Sequence, residues 1–122
     1  MGAWGTAAWD NDTASDWYSD LFHETGLARY VEEALSRGLG EQDPEVIRAA
    51  AYLVVALGCR AAIWPVELLD RHLSLAIEKL EMAKAAEYQG YPAFETAIDG
   101  ELAELRSKLA VLRSRLGPPE DA

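Results

Sequence analysis

Asp12, Asp16, Asp20 and His23 fall within one short stretch near the start of the chain. On a helix, Asp16, Asp20 and His23 recur at i, i+4 and i+7, so two carboxylates and an imidazole share one face. Such a set can ligate a transition metal. It can equally serve recognition: an acidic face with Trp17 beside it would receive a basic protein partner. Asp10-Asn11-Asp12 resembles the opening of a calcium loop, but Ser15 stands where the loop needs glycine, and no glutamate follows at the required offset. Helix capping and a solvated face account for the same acids without any ligand, since carboxylates are favourable near a helix N-terminus. Asp12, Asp16, Trp17, Asp20 and His23 are therefore the candidate partner-binding residues. A metal site on Asp12, Asp16, Asp20 and His23 is the alternative, and no cofactor is expected.

Other chemistry is sparse. His72 lies beside Asp70 and Arg71 and is read as off the apolar stripe of its helix. The serines sit in helical segments without the strand-turn-helix context of a nucleophile elbow. No phosphate-cradling glycine loop, dinucleotide fingerprint or zinc spacing is present. Catalysis is not expected; a metal-dependent hydrolase on the Asp/His set is the catalytic alternative. The single cysteine, Cys59, is flanked by Leu57, Gly58, Ala61 and Ala62 and reads as a small buried apolar residue.

Charge narrows the partners. The chain has 122 residues, 21 acidic and 11 basic, with a formal net charge of −10. Residues 1–24 hold five acids (Asp10, Asp12, Asp16, Asp20, Glu24) and no Lys or Arg, so half of that charge sits on a fifth of the chain. Nucleic acid is disfavoured, because phosphate binding runs on Lys and Arg, and so are anionic membrane surfaces. The opening residues have neither a basic n-region nor an apolar h-region, and the run Ala49 to Gly58 is too short to span a bilayer. A cytoplasmic protein is expected.

The elements that must carry these residues are helical. Half the residues are hydrophobic, and no alternating β-branched run appears. An irregular arm (1–10) with Gly2, Gly5, Trp4 and Trp9 precedes a first helix ending near Glu24. Gly26 breaks the chain before a helix from Leu27 to Arg37. Asp43-Pro44 is the best start signal, since proline's missing N–H is harmless at the first helical position. The helix it opens is apolar nearly all round and is expected at the centre. Pro65 starts a fourth helix running to about Tyr88, with Glu67 and Arg71 spaced to pair. Pro92 opens a short helix through Ile98, closed by Gly100. Leu102, Leu105, Leu109, Leu112 and Leu116 form a heptad-like seam on a last helix from Glu101 to Leu116, with Glu104 and Lys108 spaced to pair. Residues 117–122 are a frayed tail. The sum is an all-α, single-domain bundle of about five helices around a central apolar helix, a monomer or weak homo-oligomer.

Three segments carry a resemblance. Met1-Gly2-Ala3-Trp4-Gly5-Thr6, then Trp9-Asp10-Asn11-Asp12-Thr13-Ala14, then Asp16-Trp17 resemble the opening of an uncharacterised bacterial family, domain of unknown function 4259. The family signature falls on Gly2, Trp4, Gly5, Trp9, Asn11, Asp12 and Trp17. The resemblance is close through residue 17 and loose beyond it, including the closing Leu112-Arg113-Ser114-Arg115-Leu116. It implies a small bacterial helical protein and transfers no catalytic residue. The function expected is a non-catalytic interaction protein, such as an immunity- or antitoxin-like inhibitor of a basic partner.

Overall fold

The computed structural model describes residues 12–37, 42–58 and 64–116. The expectations for the 1–10 arm, Gly2, Trp4, Gly5, Trp9, Asn11, Cys59 and the 117–122 tail lie outside the described residues. Five α-helices are present: α1 (Asp12–Thr25), α2 (Leu27–Ser36), α3 (Pro44–Gly58), α4 (Val66–Ala83) and α5 (Pro92–Leu116). A π-helical turn, Lys84–Tyr88, continues α4. No β-strand occurs among the described residues, so the all-α bundle stands.

The breaks follow local chemistry. Gly26 adopts φ +63°, a left-handed conformation that a Cβ disfavours. Its N–H donates to the His23 carbonyl, while its own carbonyl accepts from Tyr30 N–H. α1 thus ends and α2 begins across one residue. Pro44 opens α3, and the Asp43 carbonyl accepts the N–H groups of Val46 and Ile47. Gly58 closes α3 against α4: a Cβ there would stand 2.8 Å from Leu69 Cδ1.

The centre of the bundle is α4 rather than α3. α4 packs on α2, α3 and α5, whereas α3 meets α5 only narrowly. α3 exposes Ala49, Val46 and Tyr52, the last at 63%. Its apolar circumference misleads because alanine carries little area and a tyrosine hydroxyl favours water. Its buried positions (Ile47, Ala50, Ala51, Val54, Gly58) form one stripe. α4 answers with Leu69, His72, Leu73, Ala76, Leu80 and Ala83. Val31 and Leu35 of α2, with Ile98, Leu102 and Leu105 of α5, complete the core. Each large side chain fully withdrawn from water contributes about 1.5–3 kcal/mol before conformational entropy is subtracted.

α5 is one helix, not a short helix followed by a longer one. Pro92 starts it, but Gly100 lies in its interior. A mid-helix glycine costs only about 0.5–1 kcal/mol relative to alanine, and buried Ile98 and Leu102 on either side hold the segment to the core. The seam serves that core: Leu102 and Leu105 are buried, and Leu109 and Leu112 pack against it.

Candidate functional site

α1 is the outlying element, with α2 as its main contact. Four acids fall on it (Asp12, Asp16, Asp20, Glu24), with no Lys or Arg. Asp16, Trp17, Asp20, Leu21 and Glu24 are exposed, Trp17 at 59%. Thr25 Oγ1 donates to the Leu21 carbonyl at 2.9 Å and closes the last turn. Asp12 is the first residue of the helix.

His23 is exposed but belongs to different surroundings. It lines a hollow of about 430 Å³ with Phe22, Leu27, Trp64 and Val66, to which neither Asp16 nor Asp20 contributes. Among the described residues no group of three or more His, Cys, Asp or Glu stands in an arrangement that could hold a metal ion. The helix therefore offers Asp16, Trp17 and Asp20 as one acidic and aromatic outer surface, with His23 turned toward the α1–α2 corner.

His72 is fully buried, contrary to its reading as an off-stripe residue. Position 72 lies three after Leu69 and four before Ala76, which places it on the stripe that α4 turns inward. That spacing was available in the sequence; proximity to Asp70 and Arg71 obscured it. Burial demands partners for both ring nitrogens. Trp64 Nε1–H donates to His72 Nδ1 at 3.0 Å, and indole has no other role than donor. Nδ1 is thereby the acceptor, so Nε2 carries the proton and donates to Glu32 Oε1 at 3.0 Å. The same carboxylate oxygen pairs with Arg71 Nε at 3.0 Å. Trp64, itself 3% exposed, meets the imidazole edge to face, the ring centroids 5.8 Å apart. The chain Trp64–His72–Glu32–Arg71 thus joins the entry of α4 to α2, running from core to surface. Arg71 uses Glu32 of α2 in place of the expected Glu67 of its own helix. Sequence spacing finds partners within a helix and is blind to those across one.

Ion pairs also tie α5 to the bundle, Lys84–Asp99 and Arg106–Glu81 among them, and two are forked. The Arg48 guanidinium grips Glu101 with Nε at 2.8 and 3.0 Å from the two carboxylate oxygens and lies 5.9 Å from the centre of the Phe94 ring. The hydrogen bonds that Arg48 donates to the Glu101 carboxylate hold it above its usual pKa. Arg113 Nε donates to Asp70 Oδ2 at 2.8 Å and draws the Asp70 carboxyl below its usual range. Near Arg48 and Glu101, burial raises the Tyr88 phenol, with the Glu45 carboxylate adding to the effect.

A single-domain helical bundle with a charged first helix and a buried polar chain defines the class, and the family model gives the particular membership. The chain belongs to the family described as "Domain of unknown function (DUF4259)", whose model matches residues 2–63. The matched segment takes in α1, α2 and α3 and stops one residue before Trp64. No curated protein and no solved structure matches the chain.

Proposed function

We propose that this is a non-catalytic interaction protein that binds a basic protein partner through the outer face of α1. The observation that carries the reading is that α1 exposes Asp16, Trp17 and Asp20 together and contains no Lys or Arg. Clustered carboxylates raise the encounter rate with a cationic surface. An indole among them supplies the aromatic anchor on which interface energy concentrates. Asp12, the first residue of α1, and His23, in its last turn, are the remaining candidate contacts. A basic toxin inhibited in the manner of immunity proteins or antitoxins is the partner class that suits a small, acidic inhibitor, an argument by analogy of size and charge.

The test is binding measured against salt and against Asp16→Lys/Asp20→Lys. The reading expects capture of a basic protein that weakens with salt and is lost on charge reversal. The competing reading is a metal-binding protein or metal-dependent hydrolase using Asp12, Asp16, Asp20 and His23. It expects a thermal shift with divalent cations that Asp16→Lys abolishes.

A further inference from the structure

α3 and α5 both lean on α4 and leave a trough between them. It has a volume of about 400 Å³, with Ala51 and Val55 of α3 and Leu105 of α5 in its lining. Ala97 and Gly100 form part of the α5 wall, and Tyr52 of α3 borders it. Leu105 and Ala51 are buried and form its floor, while Ala97 and Gly100 are exposed and Val55 half-buried along its sides.

Gly100 has no internal reason to be glycine. It is helical, and a Cβ built on it meets nothing within 4 Å. A residue that costs about 0.5–1 kcal/mol relative to alanine, in a place where alanine collides with nothing, keeps the α5 wall low toward the outside. Ala97 adds a second small residue to that wall, and Ala51 is a small residue of the α3 side.

One lining carboxylate of the trough is left without an ion pair among the described residues. Glu101 and Glu104 border the trough. Glu101 is neutralised by Arg48, while Glu104 is exposed and lacks an ion pair among the described residues, Lys108 included. A second copy of a chain with net charge −10 would bring like charge to this carboxylate. An anionic segment would do the same. Ala97, Gly100 and Glu104 follow at i, i+3 and i+7, about 10 Å of helix, or two turns of an occupant.

We propose that the α3–α5 trough is a docking site for a cationic amphipathic helix of a partner protein. The apolar stripe of that helix lies on Val55, Ala97 and Gly100, close enough for backbone approach. Its Lys or Arg residues reach Glu104 and the face of Tyr52, where a cation gains from the ring quadrupole. The inference shares no residue with α1 and does not rest on the reading given above.

The experiment uses the full chain and a fluorescein-labelled synthetic helix of Leu and Lys, with a Leu/Glu helix of the same pattern as control, followed by anisotropy at physiological salt. The Leu/Lys helix is expected to bind and the Leu/Glu helix to fail. Gly100→Leu is expected to weaken binding at least about tenfold (a loss of about 1.4 kcal/mol) with the helical spectrum intact. Gly100→Ala is expected to raise the melting temperature while weakening binding, opposite signs that a purely structural glycine would not give. The loss on Gly100→Leu is expected to be the same fold in the wild-type and in the Asp16→Lys/Asp20→Lys background, which separates the trough from α1. Equal binding of the Leu/Lys helix to wild type and Gly100→Leu would overturn the proposal. So would no binding to wild type, equal binding of the Leu/Glu helix, loss of binding only on the α1 reversal, or a wild-type dimer that Gly100→Leu converts to monomer.

Discussion

Trp64 donates its indole N–H to Nδ1 of His72, and this one bond fixes both the tautomer of a buried imidazole and the entry of α4. Removing the acceptor strands a buried donor on Trp64 and frees Glu32 from half of its partners. His72→Leu is expected to destabilise the fold by about 2–4 kcal/mol, since orphaned buried polar groups cost more than the bond they lose. Urea unfolding reads this directly. Adding Trp64→Phe removes the stranded N–H, so the double variant should lose less than the sum of the two singles.

Arg48 is the clamp between α3 and α5, and its grip on Glu101 is two-pronged. Lysine cannot reproduce a forked contact. Arg48→Lys is expected to recover little of the roughly 1–2 kcal/mol lost in Arg48→Ala, a charge-assisted contact being stronger than a neutral one. Chemical denaturation of the two variants compares them, and an Arg48→Lys curve that overlays wild type would show that charge alone suffices.

Asp70 ties α4 to the end of α5 through Arg113. The hydrogen bond from Arg113 lowers the Asp70 pKa in the folded chain, below the value near 4 of an unfolded aspartate. The unfolded chain therefore binds the proton more readily on acidification. Stability from this pair is complete above about pH 4 and fades as pH falls through the folded pKa. Asp70→Asn should flatten that acid limb in melting temperature measured against pH. Both side chains are partly exposed, so high salt should shrink the difference.

Much of this fold was readable in advance, and the failures share a cause. Gly26, Pro44 and Pro65 announce their boundaries because backbone chemistry is local. The Leu102–Leu112 seam announces its face because period is local too. Gly100 reads as a stop, yet a glycine stops a helix only where the flanking residues lack burial, and Ile98 and Leu102 are in the core. The burial of His72 is legible in its spacing from Leu69 and Ala76, although the charged Asp70 and Arg71 beside it point to solvent. Its partners, Glu32 forty positions away and Trp64 eight, depend on how helices cross. The π-helical turn after Ala83 leaves no signature in the residue types. Of the candidate site, the exposure of Asp16 and Asp20 is legible as an acidic helix face, whereas the exposure of Trp17 at 59% and the placing of His23 in a hollow with Trp64 are not.

Gly26 offers a check on the joint that sets α1 against α2. Its φ of +63° is one that alanine adopts only with strain. Gly26→Ala is expected to cost about 1 kcal/mol, seen as a lower urea midpoint with an unchanged slope. Because α1 touches the bundle chiefly through α2, hydrogen exchange in α1 should rise more than in α4.

The central claim is that the outer face of α1 is where a basic partner binds. The most direct measurement is quantitative mass spectrometry of proteins retained from source-cell lysate by the immobilised wild-type chain and by Asp16→Lys/Trp17→Ala/Asp20→Lys, each at low and high salt, with circular dichroism confirming that both are folded. The expected result is a basic protein enriched on wild type, released by salt and absent from the triple variant. Equal retention on both chains, or no basic protein retained by the wild type at low salt, would contradict the account.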